Sequence, residues 1–108
     1  MPAGPHVRDL SPAEVARAMT EGRVLIVDVR EPHEVAAARF PEAAYMPMSA
    51  FDPAALPDPG GREVVFACHV GQRSAVAARL AQAAGLPYDA HLAGGLKAWI
   101  AAGLPTES

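Results

Sequence analysis

Two short, unbroken apolar runs limit what this chain can become. Val24-Leu25-Ile26-Val27 and Val64-Val65-Phe66-Ala67 contain no polar residue at alternate positions. A strand with one wet face would alternate, so both runs read as strands buried on two faces, the pattern of a parallel sheet covered by helices. The flanking segments agree with this. Ser11-Pro12-Ala13-Glu14 combines a capping box with proline at the first helical position, and Val15, Ala18 and Met19 continue as one apolar face up to Gly22. Glu31-Pro32-His33-Glu34 starts a second helix that runs through Ala38. A third is expected from Ser74 to Ala84, with Val76, Leu80 and Ala83 on its apolar face and Gly85 as its stop. A last short strand near Ala90 to Leu92 precedes Gly94-Gly95 and a helix from Leu96 to Ala102. The segment before the first helix reads as an arm. Pro41 to Gly61 reads as connection, with a short strand at Tyr45-Met46 and a helical turn near Ser49 to Leu56.

Strands alternating with helices predict an α/β fold: one domain over residues 1–108, its core about 10–105, in three layers. A mostly parallel central sheet of about five short strands would carry helices on both faces. In such sheets ligands collect beyond the carboxyl ends of the strands.

Charge and cysteine usage remove several function classes. Nine basic and 12 acidic side chains leave a net charge of −3, without the broad positive footprint of a nucleic-acid binder. A single cysteine, Cys68, excludes a disulfide framework, and His6, His33, His69 and His91 are scattered rather than spaced as metal ligands. No apolar run reaches a membrane span. Met1-Pro2-Ala3-Gly4-Pro5 lacks the charged and apolar regions of a secretory signal. The expectation is a cytoplasmic protein with its thiol kept reduced, and with neither nucleic acid nor membrane as partner.

Cys68 ends the second strong strand, Glu63-Val64-Val65-Phe66-Ala67, and stands before a helix N-terminus. Such a turn directs free backbone N–H groups into one concavity, where the helix dipole adds partial positive charge. A cysteine there is favoured as thiolate, below its ordinary pKa of roughly 8.5. Gly71 permits a tight turn, Arg73 can bind an oxyanion through paired hydrogen bonds, and His69 can add a donor. The loop suits a sulfur nucleophile meeting a small anionic substrate. A lone cysteine after an apolar strand is more often a buried small hydrophobe, but glycine and arginine at this spacing argue for chemistry. Trp99 and Tyr88 read as packing or surface residues, Met46 and Met48 as gap-fillers, and His33 and His91 as surface or satisfied residues rather than bases.

Three blocks, in order, carry a family resemblance: Val27-Asp28-Val29-Arg30-Glu31 with Glu34, then Cys68-His69-Val70-Gly71-Gln72-Arg73-Ser74, then Leu92-Ala93-Gly94-Gly95-Leu96-Lys97-Ala98-Trp99 followed by Gly103-Leu104-Pro105. From about Leu10 to Pro105 the chain resembles a single-domain rhodanese, a thiosulfate sulfurtransferase-like protein. The second block fits the family's Cys-x-x-Gly-x-Arg-Ser form. The chain departs from the family at Ala38-Arg39-Phe40-Pro41-Glu42-Ala43, where many members read Gly-His-Ile-Pro-Gly-Ala, and at Tyr45, where asparagine is frequent.

The resemblance implies a rhodanese-like fold and a ping-pong reaction. Cys68 takes a sulfane sulfur from a donor such as thiosulfate as a persulfide, then gives it to cyanide or a thiol. It implies that His69, Val70, Gly71, Gln72 and Arg73 hold the substrate, that Asp28, Arg30 and Ser74 support the pocket, and that neither metal nor organic cofactor is needed. The partners would be a small anionic donor and a thiol, cyanide or protein acceptor. The alternatives are a persulfide carrier, a non-catalytic docking module of the same family, and a cysteine phosphatase or arsenate reductase. The phosphatase loop sets five residues between cysteine and arginine, whereas four separate Cys68 from Arg73.

Overall fold

A computed structural model describes residues 6–108. Residues 1–5, where the sequence shows no signal pattern, lie outside the described residues. In chain order the elements are β1 (Arg8–Leu10), α1 (Pro12–Thr20), β2 (Val24–Asp28), α2 (Pro32–Ala37), β3 (Ala44–Tyr45), β4 (Glu63–Ala67), α3 (Gln72–Ala83), β5 (Ala90–Leu92) and α4 (Gly95–Ala101). The five strands form one sheet in the order β1-β5-β4-β2-β3, and every neighbouring pair is parallel.

The two apolar runs become the central strands β2 and β4, paired from Val24 with Glu63 to Asp28 with Ala67. Their alternate side chains build two cores. Val24, Ile26, Val65 and Ala67 pack on one face with Val15 and Ala18 of α1 and Leu96 and Trp99 of α4. Leu25, Val27, Val64 and Phe66 pack on the other with Ala77, Ala78 and Ala81 of α3. The same period of two sends Cys68 to the α3 side. The predicted three-layer α/β architecture is the observed one.

Local chemistry explains the helix starts. The Ser11 hydroxyl accepts from the Glu14 N–H, and the Glu14 carboxylate accepts from the Ser11 N–H, closing the capping box on α1. Trp99 is buried edge-on against Phe40 at 5.4 Å, and its indole N–H donates to the Pro105 carbonyl.

Five expectations need correction. The arm before α1 contains a strand, β1, whose register pairs Arg8, Asp9 and Leu10 with Ala90, His91 and Leu92. The strand expected at Tyr45-Met46 is Ala44–Tyr45, and the helical turn near Ser49 to Leu56 is two 3-10 turns, Met48–Ala50 and Pro53–Ala55. The apolar face assigned to the third helix is wrong: Val76 and Leu80 are more than 40% exposed, and Ser74, Ala77, Ala78 and Ala81 are buried instead. Small side chains let α3 approach the sheet closely, and the bulkier ones turn outward. Finally, α3 begins at Gln72, two residues before the expected Ser74. No helix among the described residues is long and apolar enough to cross a membrane.

Candidate active site

The carboxyl end of β4 delivers Cys68, and Gly71 stands as the N-cap of α3 with φ 98° and ψ −2°. That left-handed conformation is open to glycine without strain. It folds the loop back so that the Gly71 N–H donates to Cys68 Sγ at 3.1 Å, joined by the Ser74 N–H at 3.4 Å. The Ser74 hydroxyl lies 3.5 Å from Sγ. Cys68 is fully buried, as the floor of this ring. Burial pushes its pKa up, but hydrogen bonds from the Ser74 side chain and from the Ser74, Gly71 and Val70 amides outweigh it, holding the thiol below its ordinary value.

The first turn of α4 forms the back of the loop. The Leu96 N–H donates to the Cys68 carbonyl at 2.8 Å and the Lys97 N–H to the His69 carbonyl at 3.0 Å. Because a peptide unit is planar and trans, a carbonyl held against α4 turns the following N–H away from α4. Gly95, at φ 62°, makes this contact possible: a Cβ there would lie 2.5 Å from the Cys68 and His69 backbone.

Arg73 enters differently from the sequence expectation. Its guanidinium forks onto Glu34 of α2 at 2.7 and 2.8 Å, so two of its donors are committed to a carboxylate instead of an incoming oxyanion. The fork holds Glu34 down at about 2 and pushes Arg73 up. Arg73 therefore binds the start of α3 to α2 beside the loop.

Asp28 and Arg30 support the same wall, one step further out. They form a buried ion pair, with Arg30 Nη2 2.8 Å from Asp28 Oδ2. The remaining Arg30 donors reach the Glu34 carbonyl at 3.3 Å and the Ala38 carbonyl at 2.7 Å. The pair thus fixes α2, α2 carries Glu34, and Glu34 holds Arg73. His69, Val70 and Gln72 have exposed side chains. A shallow cavity of about 370 Å³ opens beside His69, lined also by Arg30, Glu34, Ala37, Ala38 and Leu96.

Three contributors do not stand out as site residues in the sequence. Glu34 and Gly95 read only as parts of motifs, and His91 reads as a surface or satisfied residue. His91 is indeed satisfied, but its Nδ1 bonds to Ser74 Oγ at 2.8 Å, next to the sulfur. The signal was the strand period: His91 lies between Ala90 and Leu92, which face the other core, so it must face the side where α3 carries Ser74.

The sequence model of the rhodanese-like domain matches residues 11–102. The chain belongs to the rhodanese-like domain family. Among curated relatives, an uncharacterized protein of Synechocystis is 36% identical over 97 residues, which is 90% of this chain and 54% of that protein. The chain thus spans about half the length of that relative. A protein of Allochromatium vinosum named Sulfurtransferase is 37% identical over 82 residues, covering 76% of this chain and 77% of that one. Among solved structures, a thiosulfate sulfurtransferase of Pseudomonas aeruginosa superposes with TM-score 0.74 and 29% identity, over 100% of this chain and 21% of that chain. A Rhodopseudomonas palustris protein of unknown function, described as a possible tyrosine phosphatase, superposes with TM-score 0.80 and 33% identity, over 94% and 85%. The matched residues 11–102 take in the first two sequence blocks, the third from Leu92 to Trp99, and the whole ring around Cys68.

Proposed function

We propose that this rhodanese-like chain is a sulfurtransferase working through a Cys68 persulfide. The observation that carries the reading is the ring around Sγ. The Gly71 and Ser74 N–H groups converge on one sulfur held below its ordinary pKa. A group of that kind favours a thiolate before reaction and a persulfide anion after it. The Cys68 thiolate attacks the outer sulfur of a thiosulfate-like donor, the S–S bond of the donor breaks, and sulfite leaves with the bonding pair. Cyanide or a thiolate then attacks the outer sulfur of the persulfide and regenerates the Cys68 thiolate. The chemistry uses no cofactor.

The loop opposes the phosphatase alternative. Four residues separate Cys68 from Arg73 where the phosphatase loop has five, and two Arg73 donors are already held by Glu34. The Allochromatium relative's name and the Pseudomonas structure's title favour sulfur as the transferred group. A persulfide carrier differs only in its acceptor, and a docking module would need no activated thiol. Thiocyanate formation from thiosulfate and cyanide tests the reading, with p-nitrophenyl phosphate as the competing substrate. Turnover of the phosphate ester without thiocyanate formation would reverse it.

A further inference from the structure

The hydrogen bonds at Cys68 do not stop at Ser74. Ser74 Oγ lies 2.8 Å from His91 Nδ1, and His91 Nε2 lies 2.7 Å from Asp9 Oδ1. His91 is 6% exposed, while the Asp9 side chain is 72% exposed. One continuous path therefore joins a fully buried sulfur to a carboxylate in solvent. The sheet makes it possible, since β1 pairs with β5 so that Asp9 and His91 are register partners. Groups from the loop after β4, from α3, from β5 and from β1 meet, with Asp9 brought from 82 residues away in the chain to His91.

Each group's role in the path follows from the one before. Asp9 as a carboxylate can only accept, so His91 Nε2 carries the hydrogen. Its Nδ1 then has a free lone pair and accepts from the Ser74 hydroxyl. The Ser74 oxygen in turn accepts from the Cys68 thiol. All three donors point the same way, from sulfur toward solvent, as a proton relay requires.

We propose that His91, held by Asp9, is the proton acceptor for Cys68 through the Ser74 hydroxyl. The thiol proton passes to Ser74 Oγ as the Ser74 proton passes to His91 Nδ1. The products are a Cys68 thiolate, an intact serine now donating to that thiolate, and an imidazolium whose Nε2–H faces the Asp9 carboxylate. No electron pair leaves the system, and the count of protons is unchanged. The thiolate then attacks the donor, and the imidazolium proton is free to exchange with water by way of Asp9. Ser74 touches the reacting atom. His91 and Asp9 act through it and are positioning residues. This inference rests on Cys68 being the nucleophile, as proposed above.

Few other charges bear on His91 among the described residues. From β1 it meets Asp9, and from α3 the Ser74 hydroxyl. From β4 its register partner is Phe66, and from the loop it meets Gly71, where a Cβ would lie 3.6 Å from His91 Cε1. On the same elements and α4, Arg8 is paired with Glu63 and Asp89, Arg73 is paired with Glu34, and Arg79 and Lys97 are exposed.

The test is the pH profile of Cys68 alkylation by iodoacetamide, which reads the thiolate without any sulfur donor. In His91→Gln the midpoint should rise by about one pH unit, a roughly tenfold slower reaction below the midpoint. Asp9→Asn changes an exposed side chain and keeps the fold; its midpoint should rise by less, roughly threefold in rate. Because Asp9 acts through His91, the double variant should match His91→Gln alone. A wild-type midpoint in Asp9→Asn and His91→Gln would overturn the relay, as would additive shifts in the double variant. If His91→Gln fails to fold, an unmoved midpoint in Asp9→Asn is sufficient to overturn it. Persulfide formation with thiosulfate is followed separately by mass. Unmoved midpoints with a wild type that loads sulfur defeat the relay alone, whereas shifted midpoints with no loading defeat the transferase reading and leave the relay.

Discussion

Gly95→Ala should damage the active loop out of proportion to the methyl group it adds. Two costs combine. At φ 62° an alanine sits in the left-handed region, which costs roughly 1–2 kcal/mol. Its Cβ would also stand 2.5 Å from the Cys68 oxygen and from the carbonyl carbon and oxygen of His69, backbone atoms that cannot rotate aside. Overpacking of this kind adds roughly 1–3 kcal/mol. The sum, roughly 2–5 kcal/mol, is a large part of the roughly 5–15 kcal/mol that stabilises a domain. Gly85→Ala separates the two costs, because Gly85 has φ 88° and nothing within 4 Å of a Cβ. It should lose only the roughly 1–2 kcal/mol of backbone strain. Ordinary contact begins at 3.4 Å, so relief at Gly95 requires the loop or α4 to retreat by 3.4 − 2.5 = 0.9 Å. Displacement on that scale at a reacting group costs on the order of a hundredfold in rate. Urea unfolding and the rate of sulfur loading from thiosulfate would be measured on both variants. Gly95→Ala loading sulfur at the Gly85→Ala rate would refute the role given to the α4 backing.

Glu34, at about 2 when folded against an ordinary 4.5, stabilises the fold above pH 4.5, and that contribution is lost as pH falls toward 2. Urea midpoints taken at about pH 6, 4 and 3 should therefore fall less steeply in Glu34→Gln than in wild type, because the variant lacks the carboxylate that titrates. Arg30→Met, which strands Asp28 without its buried partner, should lose roughly 3–5 kcal/mol by urea unfolding, and adding Asp28→Leu should recover much of the loss. Glu42 stands at φ 55° where many family members carry glycine, so Glu42→Gly should relieve about 1 kcal/mol of strain, seen as a higher thermal midpoint.

What could be read in the sequence was what depends on near neighbours. The β2 and β4 runs are apolar at every position because helices cover both faces, and the α1 start needs only Ser11 and Glu14. Cys68 was legible for the same reason, since a strand end, a glycine and a helix start lie within a few residues of it. Long-range pairing hid the rest. Arg8-Asp9-Leu10 looks polar and short, and it becomes a strand because β5 supplies its partners from more than 80 residues away. The face of α3 is hidden in the sequence because its largest apolar residues suggest burial, whereas close packing on β4 and β5 selects alanine and Ser74. Glu34, His91 and Gly95 gain their roles from the strand order and from α4 meeting the loop. Arg73 looked like a free anion binder until α2 brought Glu34 beside it.

Transfer of sulfur through Cys68 is measured by intact mass after incubation with thiosulfate and removal of excess donor. The wild type should gain one sulfur atom, Cys68→Ala should not, and cyanide should remove the gain. A wild-type mass unchanged by thiosulfate, mercaptopyruvate and glutathione persulfide alike would contradict transfer through Cys68.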